Sequence, residues 1–178
     1  GKALCIIGAR QIGKTTLIRE FGKNEYEHFA EINFVTDEKA ADIFNDRLTA
    51  EVIITNLTAY LQTPLEPGKT LILFDEVQEC PAVRSAIKFL VEDGRFDYIE
   101  SGSLLGVRYK EVRSYPVGFE QIVPMYPLDF EEFLISQGFN EYAISEIRKK
   151  IESEESLDGN THEKLLDLFK KYLLVGGL

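Results

Sequence analysis

Apolar and polar positions alternate along this chain in two rhythms. Residues 3–7 (ALCII) are an almost unbroken apolar run, the pattern of a strand buried on both faces. A glycine-rich turn follows, and residues 14–21 read as a helix with Leu17, Ile18 and Phe21 on one side. Residues 26–34 predict a second strand. Ala40, Ile43, Phe44 and Leu48 recur at helical spacing, as do Ile53, Leu57, Tyr60 and Leu61, before Pro64, Pro67 and Gly68 break the chain. Residues 70–74 predict a third strand, followed at once by two acids. Val83, Ala86, Ile87 and Leu90 form a helical stripe that stops at Gly94, and residues 96–100 predict a fourth strand. Strands alternating with helices of this length predict an α/β layered fold around a parallel sheet.

After residue 101 the rhythm changes. Residues 102–118 read as a loop carrying Arg108, Lys110 and Arg113. Residues 121–126 predict a fifth strand, at an edge or irregular, because Pro124 cannot donate to a ladder. Asp129 and Glu132 form a capping box ahead of Phe130, Phe133 and Leu134. Residues 140–151 predict a second helix of this region, 153–160 an acidic linker, and 161–174 an amphipathic third helix. The expected organisation is a core over residues 1–128 and a small helical segment over 129–178. The sequence opens without methionine inside its first strand and ends on an apolar run. It is therefore expected to be part of a longer protein.

Composition narrows the class. The 178 residues are 44% hydrophobic and 28% charged, which excludes a disordered chain or a disulfide-rich miniprotein. No apolar run reaches the roughly 18–20 residues of a membrane span, and the run at 3–7 is too short for a signal peptide. A net charge of −10 disfavours a uniformly basic nucleic-acid surface, leaving room only for a local basic cleft. Cys5 and Cys80 lack metal-binding spacing, as do His28 and His162. The cysteines read as reduced core or loop residues, in keeping with a cytoplasmic protein.

The chemistry lies where strands meet turns. Gly8-Ala9-Arg10-Gln11-Ile12-Gly13-Lys14-Thr15 is GxxxxGK[ST], a P-loop between an apolar strand and a helix. Gly8 and Gly13 permit backbone angles that turn a row of N–H groups toward an anion. The helix start adds its positive dipole end. Lys14 is expected to reach the β- and γ-phosphates of ATP, and Thr15 to hold Mg²⁺ through its hydroxyl. Thr16 closes the nucleotide-binding stretch, with helix packing or capping as its expected role. An ordinary glycine turn is the competing reading, and the strand–turn–helix setting disfavours it. The apolar run Leu71-Ile72-Leu73-Phe74 ends in Asp75-Glu76, a Walker B strand. Asp75 is the second expected Mg²⁺ residue, and Glu76 the candidate to orient or deprotonate the attacking water. Gln78 is either a link from nucleotide state to a partner surface or a polar loop residue.

The adjacent glutamate resembles the additional-strand, catalytic-glutamate class of P-loop ATPases. That likeness implies a three-layer sandwich with sheet order 5-1-4-3-2. The strand at 96–100 would then lie between the two motifs, making Ser101 and Ser103 candidate γ-phosphate sensors, with a Ser/Gly turn as the alternative. Arg10, Arg108 and Arg113, and less so Arg148, are candidate arginine fingers. The chain also resembles prokaryotic predicted AAA-like ATPases with a C-terminal domain of unknown function. The likeness lies in GARQIGKTTL, LFDEVQ, SGSLL, YPLDFEEFL and LLVGG. It departs at Gly118-Phe119, where many members carry Gly-Arg.

The resemblance implies an ATP-binding module whose partner is the C-terminal domain or another protein, with homo-oligomers as one form. The expected function is Mg-ATP binding and hydrolysis by a nucleotide-dependent switch. A nucleic-acid motor, a small-molecule kinase and a non-catalytic nucleotide scaffold are the alternatives. A GTPase is disfavoured, since no Asn-Lys-x-Asp motif is present.

Overall fold

Six consecutive buried residues, Thr70–Asp75, make β3, a strand covered on both faces. The other strands are β1 (Ala3–Gly8), β2 (His28–Asn33), β4 (Asp97–Ser103) and β5 (Glu120–Met125). The computed structural model describes residues 1–45, 49–103 and 118–177. The five strands form one parallel sheet in the order β2-β3-β4-β1-β5. Read from the other edge, this is the expected 5-1-4-3-2.

Helices cover both faces. Leu71, Leu73 and Ile99 pack with Ile18 of α1 (Lys14–Glu25) on one side. On the other, Cys5, Ile7, Ile32, Ile72 and Phe74 meet Ile53 and Leu57 of α2 (Ala50–Tyr60) and Ile87 and Leu90 of α3 (Pro81–Asp93). Alternate side chains of a strand point to opposite faces, so odd and even positions of β3 feed different layers. Phe74 anchors an aromatic group, stacked on Tyr98 at 6.0 Å and edge-on to Phe44 at 5.6 Å.

Two elements differ from their sequence reading. Residues Glu38–Phe44 form a 3-10 helix, not an α-helix, although Ala40, Ile43 and Phe44 do face the core. Leu48 lies outside the described residues. Strand β4 runs on through Ser101, Gly102 and Ser103, where a turn was the alternative. Those residues pair with Ile6, Ile7 and Gly8 of β1, and tertiary pairing overrides their weak strand preference. Pro124 sits on edge strand β5, opposite Ile7.

The chain divides into two compact units, Gly1–Met125 and Tyr126–Leu178. The second contains α4 (Phe130–Ser136), α5 (Glu141–Glu152) and α6 (Gly159–Val175) around Phe133, Leu134, Ile144 and Leu168. The capping box at its start is present. Asp129 Oδ1 accepts from the Glu132 N–H at 2.8 Å, and Glu132 Oε2 accepts from the Asp129 N–H at 2.9 Å. No described helix is long and apolar enough to cross a membrane.

A buried ionic group lies in the first unit. Arg84 Nη2 donates to both carboxylate oxygens of Glu120 at 2.6 and 2.7 Å. Glu100, the register partner of Cys5, is fully buried, and neither carboxylate oxygen has a hydrogen-bond partner among the described residues. Burial, reinforced by the Glu120 charge and opposed by Arg84, pushes Glu100 from its ordinary 4.5 up to about 8. The unfolded chain therefore ionises this acid while the folded chain retains its proton. The contribution to stability is full below about pH 4.5, falls as pH rises, and levels off above about pH 8. Urea unfolding across this range should show a smaller pH-dependent loss in Glu100→Gln than in the native sequence; equal slopes would contradict the assignment.

Candidate functional site

The P-loop joins β1 to α1 at the C-terminal edge of the sheet, where open parallel sheets bind ligands. Gly8 is required there: a Cβ would lie 2.3 Å from the Met125 carbonyl oxygen and 2.6 Å from Ile12 Cδ1. Gly13 caps α1 at φ 88°, and Gln11 stands at φ 65°, so the loop takes left-handed backbone twice in three residues. Such turns converge successive N–H groups into an anion-binding concavity. Ala9, Arg10, Gln11, Gly13 and Thr16 are exposed, while Ile12 plugs into the fold. Lys14 is only 6% exposed, and its Nζ donates to the carbonyl oxygens of Ala9 at 2.6 Å and Gly8 at 3.3 Å. The ammonium thus folds back over its own loop.

Asp75 ends β3 and is 1% exposed. Its carboxylate accepts from three side chains on three other elements. Thr15 Oγ1 donates at 3.0 Å to Oδ2 and 3.2 Å to Oδ1, Asn33 Nδ2 donates at 2.8 Å to Oδ2, and Ser101 Oγ donates to Oδ1. These bonds offset the desolvation of a buried carboxylate. Glu76, the next residue, is half-buried and adopts left-handed backbone at φ 57°. Its Oε2 accepts from Gln78 Nε2, and Gln78 Oε1 accepts from the Ser103 N–H at 3.3 Å.

The structure therefore brings together Thr15, Asp75 and Ser101 as expected neighbours, with Lys14 and Glu76 beside them on the chain. Ser101 touches Asp75 itself, and the Ser103 backbone touches Gln78. Arg148 is ion-paired with Glu131 in the second unit. Arg108, Lys110 and Arg113 lie outside the described residues. Asn33 was missed by the sequence reading. It ends β2 directly opposite Asp75 in register, and its Oδ1 also accepts the N–H groups of Val35 at 3.0 Å and Thr36 at 3.1 Å. A polar residue closing a strand beside the one that ends in Asp75 was the available signal.

Thr15 and Asp75 offer hard oxygen donors within one hydrogen bond of each other, the donor type Mg²⁺ prefers. A divalent ion thus fits this pair, and a polyphosphate fits the loop that precedes it.

A family model described as an AAA domain matches residues 1–134. The chain belongs to the AAA domain family. Among solved structures, this AAA domain is similar in fold to a chain in the structure of Drosophila ORC bound to DNA, with TM-score 0.52 and 13% identity. That match covers 84% of this chain and 43% of the other. A variant of Thermotoga maritima RuvB aligns with TM-score 0.49 and 18% identity, over 74% of this chain and 40% of that one. The chain thus spans less than half the length of either matched chain. At 13% identity the likeness to the ORC chain speaks to the fold alone. No curated protein matches the sequence.

Removing the Asn33 amide leaves Asp75 short of a donor and releases two turn N–H groups. Asn33→Ala should lower the nucleotide-free unfolding free energy by about 2 kcal/mol in urea titration. A change below about 0.5 kcal/mol, the range of a neutral surface substitution, would contradict the bond to Asp75.

Proposed function

We propose that this AAA domain binds Mg-ATP, hydrolyses it, and acts as a nucleotide-dependent switch for an attached domain or a partner protein. The observation that carries the reading is the hydrogen bond between Thr15 and the buried Asp75 carboxylate, at the mouth of a P-loop. In this reading residues Gly8–Thr16 wrap the phosphates. Backbone N–H groups of the loop and the helix start face the anion. Lys14 exchanges its loop carbonyls for phosphate oxygens, a stronger charge-assisted partner.

Thr15 and Asp75 would hold Mg²⁺, which when bound neutralises charge on the phosphate oxygens. Glu76 accepts a proton from the attacking water and orients it toward the γ-phosphorus. Ser101 senses nucleotide state through Asp75, and Ser103 lies one register step further along the same strand. An arginine supplied from elsewhere in the protein, or from a neighbouring copy, would complete the charge around the transferred group. The free, buried cysteines Cys5 and Cys80 suit a cytoplasmic location.

Lys14→Ala should weaken ATP affinity by about 10-fold or more, as expected for loss of a charge-assisted phosphate contact. Glu76→Gln should retain affinity while losing about 10²-fold or more in single-turnover hydrolysis. Calorimetry and a phosphate-release assay check the pair. Unchanged affinity in the lysine variant would overturn nucleotide binding at this loop.

A further inference from the structure

Glu76 and the end of β4 are joined through one amide. Gln78 lies two residues beyond Glu76, within the 3-10 turn Val77–Glu79, and is 4% exposed. A carboxamide has a donating end and an accepting end. The Glu76 carboxylate takes the donating end, and the Ser103 N–H takes the accepting end. A carboxylate only accepts and an N–H only donates, so the two contacts together dictate one orientation of the amide.

The turn is held from its start. Glu76 enters it with left-handed backbone, a conformation that persists in a non-glycine residue only where the surroundings enforce it. The other acid is tied to the same strand, since Ser101 donates to Asp75 two residues before Ser103. Both acids thus take their reference from the last three residues of β4. That strand lies between β3 and β1, and its end pairs with Gly8, the first residue of the P-loop. Displacement of the β4 end would act on Asp75 through one hydroxyl and on Glu76 through one amide.

We propose that Gln78 is a positioning residue for the Glu76 carboxylate, fixing its place against the end of β4 so that hydrolysis, and not nucleotide affinity, depends on it. This role rests on the assignment of Glu76 to the attacking water. The nitrogen end of the amide holds the carboxylate oxygen, and the oxygen end transmits the place of β4. Gln78 needs no contact with nucleotide to do this.

Single-turnover ATP hydrolysis with Mg²⁺ and protein in excess, measured beside ATP affinity and thermal midpoint, tests the role. Gln78→Met keeps the length of the side chain and removes both bonds. It should slow hydrolysis by about 10- to 100-fold while affinity stays within about twofold, since misplacement of a reacting group falls on the chemical step. Gln78→Glu keeps an acceptor for Ser103 and sets a second carboxylate against Glu76, so it should lose rate as well. If Gln78→Met does not fold, Gln78→Glu decides by the same criterion. A folded variant hydrolysing within about twofold of the native rate, or losing affinity in step with rate, overturns the role. Glu76→Gln separates the two levels. Native hydrolysis in that variant overturns the assignment of Glu76 and the role of Gln78 with it. Loss in Glu76→Gln beside full activity in the Gln78 variants overturns the role of Gln78 alone.

Discussion

A carboxylate removed from water must be met by donors, or the fold that buries it is penalised by several kcal/mol. Asp75 imposes that condition on four elements at once. It ends a strand buried along its whole length, and its oxygens are met by Thr15 from the first turn of α1, Asn33 from the end of β2 and Ser101 from near the end of β4. Each donor reaches it only if the strands stand in their observed order and register. The sheet thus builds the site, and the site's polar bonds in turn pin the sheet edge where the P-loop begins. The same carboxylate is one hydrogen bond from the only hydroxyl in the P-loop motif that the motif itself requires. That makes the structural hub and the proposed ion-holding group one residue.

The parts that local chemistry specifies were legible in the sequence. The P-loop spacing encodes its own turn, because Gly13 takes left-handed backbone and Gly8 sits where a Cβ has no room. The apolar run ending in Asp75 encodes a buried strand with an acid at its tip. The capping box at Asp129 and Glu132 was readable for the same reason, since its partners lie three residues apart. The sheet order came from the likeness carried by Glu76 beside Asp75, and the pairing bears it out.

What was not legible depends on residues distant in the chain. Asn33 reads as the end of one strand, and only register places it opposite Asp75. Ser101, Gly102 and Ser103 read as the tip of a strand ending at residue 100, with a turn as the alternative, and only pairing with β1 carries the strand through them. Arg84 lies off the apolar stripe of its helix and carried no signal of its own, yet it is buried against Glu120 from an edge strand 36 positions away. The 3-10 helix at Glu38–Phe44 carries the apolar spacing of an α-helix over a segment too short to show the difference.

We propose that Thr15 and Asp75 together hold the ion that accompanies a nucleotide in the P-loop. It is tested most directly by ATP affinity with Mg²⁺ and with EDTA, in the native sequence and in Asp75→Asn. Mg²⁺ should tighten ATP binding to the native protein by about 10-fold or more, about 1.4 kcal/mol, and Asp75→Asn should lose most of this gain while still binding ATP without the ion. An Mg²⁺ effect of the same size in both proteins, or none in either, would contradict it.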